Sequence, residues 1–318
     1  MNAPRVSVLL PCRNGGRTLE LALRSMLAQT FTDFELLLLD DGSTDESTAI
    51  ALRFNDVRIR VFSDGMHRGL PWRLNQGVSC ARGQYLARMD ADDVSFPRRL
   101  ELQVAYLDQH SQIDLVGCRA VVFRDSGDVV GLLPFAPDHA TLCARPWRNI
   151  PLPHPTWMGR RQWFCAHAYR LPEVRFAEDQ ELLLRASPTS CYACLGEVLL
   201  GYRQSSFRLR RTLLARRSLL ATQLALFAAR RQWGHAIKAV FQSTAKVGID
   251  LLAAIPGGEA LFFTRMSEPA SAAVVGALYR CLNPNNAHSA VIARLDPGDP
   301  VATDCGVLDC PVEPGNDS

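Results

Sequence analysis

Over its first 120 residues the chain alternates short apolar runs with helix-spaced segments, and this alternation restricts the fold more than any other feature. "RVSVLL" (5–10) reads as a buried strand, and "RTLELALRSMLAQ" (17–29) places leucines at 19, 23 and 27 at helical spacing. "FELLLLD" (34–40) reads as a second strand. "STDESTAIALRF" reads as a second helix, with Ser43 or Thr44 as its cap and Asp45 and Glu46 in a first turn favoured by the helix dipole. "VRIRVF" (57–62), "LPWRLNQGVSCA" and "QYLARMD" continue the order as strand, helix, strand. Such an order predicts an α/β fold, a mostly parallel sheet flanked by helices. Further on, the spacing predicts a helix over 97–110, strands near 114–124 and 128–133, a short helix over 176–186 and a helical stretch from Phe207 to about Ala254.

Open sheets of this kind bind ligands in the crevice at the carboxyl ends of their strands. Three polar clusters fall at those ends: "PCRNGG" after the first strand, "DDGSTD" after the second and "DADD" after the fourth. None is a G-x-G-x-x-G or a G-x-x-x-x-G-K-[ST], so a dinucleotide oxidoreductase or a P-loop enzyme is poorly supported. A net charge of +3 gives no argument for a nucleic-acid partner. The N-terminus lacks a charged segment followed by an apolar signal core, which leads us to expect cytoplasmic retention. No uninterrupted apolar run is long enough to span a bilayer. Ten cysteines are scattered, and Cys191 and Cys194 form the one C-x-x-C; a structural zinc site usually needs four ligands, so this pair reads as structural. His154 and His167 read as structural in the same way.

The "DADD" cluster asks for a cation. Three carboxylates in four positions would repel one another in a dry site, whereas a hard divalent ion takes oxygen ligands, commonly one or two carboxylates completed by substrate phosphates and water. Asp90 and Asp92 can both point into one crevice if the chain turns there, one touching the metal and the other orienting a ribose or a metal-bound water. Asp93 is explained by the first turn of the helix that follows. In "LLDDGSTD", Asp40 and Asp41 exceed what a helix cap needs; Asp41 could accept from a base N–H or a ribose hydroxyl, and Asp45 reads as a cap. In "AEDQE", Glu178 and Asp179 raise each other's pKa, which suits a general base, but a solvated first turn explains them equally.

Taken together, "VSVLLPCRNGGRTLELALRSMLAQTFTDFELLLLDDGSTDES", "RGLPWRLNQGVSCARGQYLARMDADDVSFPRRLELQ", "HPTWMGRR", "AEDQELLLR" and "LLGYRQ" resemble glycosyltransferase family 2 over about residues 4 to 205. The resemblance implies a GT-A fold, a nucleotide-diphospho-sugar donor, by family habit UDP-linked, a Mg²⁺ or Mn²⁺ cofactor, and transfer with inversion to a glycan or lipid-linked acceptor hydroxyl in cell-surface polysaccharide synthesis. By motif match it places Pro11 and Asp41 at the nucleotide base, Asp90 near the ribose, Asp92 on the metal, Asp179 as the base that deprotonates the acceptor, and Glu178 beside the acceptor. The Q-x-x-R-W signature of processive members is absent after Asp179, which argues for addition of a single sugar. The glycine-containing loop often found before the acidic pair is replaced by "CAHAYRLPEVRF".

This reading divides the chain into a catalytic domain at 1–205 (a nucleotide-sugar half to about 110 and an acceptor half from 111), a basic helical extension at 206–295 and an acidic, disordered tail at 296–318. Between Val198 and Ile249 lie ten Lys or Arg and no Asp or Glu, so the 203–246 region could lie on an anionic membrane surface, cap the catalytic domain or join a dimer. Two rival readings are a sugar-nucleotide nucleotidyltransferase, which would want a glycine- and lysine-rich phosphate loop, and a catalytically silent module that recruits partners to a membrane.

Overall fold

The computed structural model describes residues 3–171, 176–204, 208–255, 258, 263 and 268–283. The proposed acidic tail therefore lies outside the described residues, as does part of the helical extension. The first half runs β1 (Val6–Cys12), α1 (Leu19–Leu27), β2 (Phe34–Asp40), α2 (Ser47–Arg53), β3 (Ile59–Phe62), α3 (Leu70–Cys80) and β4 (Tyr85–Arg88). All pairings among these strands are parallel: Val6 faces Phe34, Cys12 faces Asp40, and Leu9 faces Arg88. Their carboxyl ends therefore emerge together, carrying the three polar clusters to one edge.

The strands β1, β2 and β4 are mainly apolar and buried because both faces of the sheet are covered. Side chains of a strand alternate between faces. Val6, Val8 and Leu10 of β1 and Leu36 and Leu38 of β2 join one core cluster, with Leu19, Leu23 and Met26 of α1. Leu9, Leu37 and Leu39 join another, with Leu74 and Val78 of α3.

The second half adds β5 (Val94–Ser95), α4 (Arg99–Gln109), β6 (Leu115–Phe123), β7 (Val129–Leu132), α5 (His139–Leu142), β8 (Met158–Arg160), α6 (Arg161–Ala166), α7 (Glu178–Ala186) and β9 (Tyr192–Arg203). The nine-stranded sheet has the order β3-β2-β1-β4-β8-β6-β9-β5, with β7 beside β6. Beyond β4 it is mixed: β8 is antiparallel to β4 and β6, whereas β6 and β9 run parallel. The helical extension is a hairpin, α8 (Leu209–Ala229) and α9 (Trp233–Ala253), broken at Arg231, whose φ is 56°; α10 (Ala272–Leu282) follows.

The hairpin packs on the catalytic half. Leu219 and Leu226 of α8 lie against the second core cluster. Ser218 donates to the Phe176 carbonyl at 2.5 Å and Gln223 to the Pro146 carbonyl at 2.8 Å. Arg216 of α8 pairs with the buried Asp250 of α9, joining the two helices. Of the arrangements open to this segment, capping the catalytic domain is the one seen.

Two helix starts differ from the sequence expectation. α2 begins at Ser47, not at Ser43 or Thr44, because the polar side chains before it are turned onto the β1–α1 loop. Ser43 Oγ and Ser47 Oγ accept from the N–H groups of Asn14 and Gly15, and Asp45 accepts from Gly16 N–H, each at 2.9 Å. α4 begins at Arg99, so Asp93 is no first-turn acid; it lies in the loop before β5 and is buried.

Candidate active site

At the edge where β1, β2 and β4 end, the loops are held by their own polar side chains. Gly42 has φ 69°, a conformation glycine adopts without penalty, and a Cβ there would meet the backbone of Met66 and His67 at 2.9 Å. That close approach lets Asp41 organise the 66–69 loop. Its carboxylate accepts from the N–H groups of Arg68 (2.8 Å) and Gly69 (3.1 Å) and from Arg73 Nε (3.1 Å), and shares a 2.7 Å hydrogen bond with His67 Nδ1. Burial pushes its pKa up, and these donors overcome that and hold it below the ordinary value. Asp40 is also buried, accepting from Ser43 N–H and Ser63 Oγ.

The acidic loop after β4 is a potential cation site. Carboxylate oxygens of Asp90, Asp92 and Asp93 lie within 4.8 Å of one another. Asp93 Oδ1 accepts from Arg203 N–H at 2.8 Å, and its buried Oδ2 has no hydrogen-bond partner among the described residues. Desolvation, then the charges of Asp90 and Asp92, raise the Asp93 carboxyl well above its ordinary value; Asp92 is raised by desolvation and then by Asp90. Three crowded oxygen donors, one orphaned, fit a hard divalent cation, which would relieve the repulsion and satisfy the orphan. The loop is fixed from outside. Arg203 donates to the Asp92 carbonyl at 2.8 Å, and the buried Arg99 donates to the Arg88 carbonyl at 2.7 Å.

Behind the acids sits Arg88, a guanidinium buried at the end of an apolar strand. It pairs with Asp90, while its Nε finds no hydrogen-bond partner among the described residues. Its charge favours the ionised forms of Asp92, Asp93, Glu178 and Asp179 together, so it lies within electrostatic reach of both acidic groups.

α7 brings the second group. Its cap residue, Ala177, is held at φ 59°, a left-handed conformation disfavoured for a residue with a Cβ, directly before Glu178. Glu178 and Asp179 are half-buried, and Asp179 Oδ2 lies 3.5 Å from Gln180 Nε2. Gln180 is itself fixed on the Ile150 backbone. Desolvation raises both carboxyls; for Glu178 the charge of Asp179 adds to it, and Asp90 contributes from the cation loop. His154, expected to be structural, is buried and shares a 2.7 Å hydrogen bond with Tyr169; burial, then Arg88, keeps it neutral. His167 bonds the Trp163 carbonyl, and the eight described cysteines, Cys191 and Cys194 included, are free thiols.

One cavity of about 990 Å³ joins these parts. Asn14, Gly15, Arg17 and Thr18 line it from the β1–α1 loop, Asp90 and Asp92 from the acidic loop, Ala177 and Gln180 from the start of α7, and Arg208, Arg211 and Arg216 from the hairpin. Of the residues singled out in the sequence, Asp90 and Asp92 thus face the cavity, and Glu178 and Asp179 sit between two residues that do. Pro11 is a buried β1 residue opposite Leu39, and Asp41 turns its carboxylate into its own loop; neither lines the cavity. Arg88 and Arg203 drew no expectation from the sequence, and Asp93 was expected only as a first-turn acid. A charged residue ending the apolar run "QYLAR" was the available signal for Arg88. The partners of Asp93 and Arg203 lie 110 positions apart, and no local pattern reveals them.

The model of the glycosyl transferase family 2 matches residues 7–166. EpsE of Bacillus subtilis (strain 168), which carries a glycosyltransferase name, is 37% identical over 191 residues, 58% of this chain and 67% of EpsE. WfgD of Escherichia coli, a UDP-Glc:alpha-D-GlcNAc-diphosphoundecaprenol beta-1,3-glucosyltransferase, is 31% identical over 102 residues, 32% of this chain and 40% of WfgD. Among solved structures, glucosyl-3-phosphoglycerate synthase from Mycobacterium tuberculosis, in complex with Mn²⁺, UDP and phosphoglyceric acid, superposes with a TM-score of 0.52 at 19% identity. It covers 70% of this chain and 78% of its own, and the likeness is one of fold, the GT-A fold. With the family match spanning half the chain and holding the acidic loop at the sheet's edge, the protein belongs to glycosyltransferase family 2.

Proposed function

We propose that the protein transfers one sugar, with inversion, from a UDP-sugar to a hydroxyl of a lipid-linked glycan in cell-surface polysaccharide synthesis, at the cytoplasmic face of a membrane. The observation that carries this reading is one cavity lined by Asp90 and Asp92 and by Ala177 and Gln180, which bracket Glu178 and Asp179 in sequence, with the charge of Arg88 in reach of both acidic groups. Residues 1–205 are the catalytic unit in this reading and 206–295 the helical extension. WfgD's diphosphate-lipid acceptor and the UDP and Mn²⁺ of the M. tuberculosis synthase support the substrate and cofactor classes.

Asp92, with Asp90 and Asp93 beside it, would hold Mg²⁺ or Mn²⁺, which supplies charge neutralisation to a departing diphosphate. Asp179 removes the acceptor proton as the hydroxyl oxygen attacks the anomeric carbon, and Glu178 orients the acceptor. A base must be ionised before it acts; desolvation pushes Asp179 up, and the hydrogen bonds from Gln180, then the charge of Arg88, oppose that push. The exposed Arg17, Arg208 and Arg211 make no ion pair with a described residue and present donors to phosphate oxygens. Asp41 and Pro11 act at the base indirectly, by shaping the 66–69 loop and the end of β1.

A nucleotidyltransferase finds no phosphate loop in "PCRNGGRT", and a silent recruiting module predicts no turnover. The test is a panel of nucleotide-sugars with Mn²⁺, scored for slow donor hydrolysis without acceptor. One donor should respond and Asp92→Ala should abolish the response; silence toward every donor contradicts the reading.

A further inference from the structure

A helix on the surface of a globular protein turns its apolar side inward. α9 turns small or polar side chains inward, the buried Ala239 and Ala253 among them, and leaves its large apolar ones outside. Its inward stations, at spacings of three and four, include Gln242, Ser243, Lys246 and the buried Asp250, which meet α8 and the catalytic half. Its outward stations are apolar. Trp233, Ile237, Phe241, Leu251, Leu252 and Ile255 fall along one side of the helix and its end, with Phe241 77% and Ile237 71% exposed. Scattered exposed apolar residues need no explanation, but large ones gathered on one side of a helix mark a contact surface.

Charge indicates what the stripe meets. The exposed side of α8 carries Arg210 and Arg217, and α9 adds Lys238. The single acidic residue of the hairpin, Asp250, is buried against Arg216, so its accessible surface carries positive charge only. A second copy of this chain would bring these cations against each other. No helix of the described residues is long and apolar enough to cross a membrane. An apolar helix face flanked by arginines is the composition of an element that lies in the headgroup layer of an anionic bilayer.

We propose that the outer face of α9, together with the exposed Arg210 and Arg217 of α8, docks the protein on an anionic lipid surface. The contact belongs to 233–255 and the exposed side of α8, while the other side of α8 faces the cavity. The proposal rests on the membrane-side setting above and names the surface that makes it; it is independent of the chemistry of transfer, so donor hydrolysis in the same preparations separates a failure of one from a failure of the other.

The experiment is co-sedimentation of the full chain with phosphatidylglycerol/phosphatidylethanolamine vesicles and with pure phosphatidylcholine vesicles, alongside light scattering for oligomeric state. Binding to the anionic vesicles should exceed that to the neutral ones at least tenfold and weaken with salt. Ile237→Glu with Phe241→Glu should cut binding at least tenfold while donor hydrolysis and thermal unfolding stay at the parent level. Arg210→Glu with Arg217→Glu, a surface pair outside the cavity, should also cut binding and remove its salt dependence, which keeps the test open if the apolar variant does not fold. Absence of binding to anionic vesicles, parent-like binding by both variants, or a stable dimer that Ile237→Glu with Phe241→Glu dissolves would overturn the proposal.

Discussion

Arg88 opposes the upward push of desolvation on both acidic groups, because a buried guanidinium favours the ionised form of every carboxyl it faces. Glu178 and Asp179 are raised by desolvation and titrate as a pair, so transfer should fall on the acid side as the pair protonates. Arg88→Gln removes a term that favours the anions, raises the pair further and moves the acid limb to higher pH, with activity recovering in part toward alkaline pH. A pH–rate profile of the variant checks this; an unmoved limb contradicts it. Asp92 and Asp179 stood out in the sequence because clustered acids at a strand end or helix start are locally conspicuous. Arg88 was harder to see, since its surroundings are assembled by the fold: Arg99 donates to its carbonyl, its own N–H donates to the Trp157 carbonyl, and Tyr169 lies within its electrostatic reach.

At the level of elements, the parallel half was legible, as were α4, β6, β7 and α7 of the mixed half, whereas β5, β8 and β9 were not. β2 falls at the expected 34–40, and α3 within a residue of its expected span, because apolar runs and helical spacing dictate them directly. The partners of β8 and β9 are set by contacts distant in sequence, which no local pattern carries. The strands are also tied by Glu35, which is buried on β2 and accepts from Ser7 of β1, Arg60 of β3 and Arg82 after α3. Burial pushes its carboxyl up, but the hydrogen bonds from Arg82, Ser7 and Arg60 win and hold it at about 2. A depressed carboxylate contributes stability above its unfolded pKa of about 4.3, and that contribution is lost as pH falls toward 2. Glu35→Ala should therefore lower stability at pH 7 by about 3 kcal/mol, the usual scale for breaking a buried ion pair. The gap between parent and variant should narrow below pH 4 in guanidinium titrations; a constant gap would show that the ion pairs contribute nothing.

The molecule as a whole assembles one cavity from three separate stretches of chain: the loops at the parallel sheet's edge, the start of α7 and the hairpin. The motifs for the first two are visible in the sequence, and the third is visible only as basic composition, because which side of α8 faces the cavity is decided by Leu219, Gln223 and Leu226 packing inward. The same packing leaves the apolar side of α9 outward. The account assigns the two acidic groups to two different substrates, a claim about the assembled site. The most direct measurement is donor binding by calorimetry with Mn²⁺, paired with the rate of sugar transfer, for Asp92→Asn and Asp179→Asn. The account predicts that Asp92→Asn loses metal-dependent donor binding, while Asp179→Asn binds donor like the parent and transfers about 10²–10⁴-fold more slowly, the range for loss of a general base. Transfer at the parent rate by Asp179→Asn, or undiminished donor binding by Asp92→Asn, would contradict it.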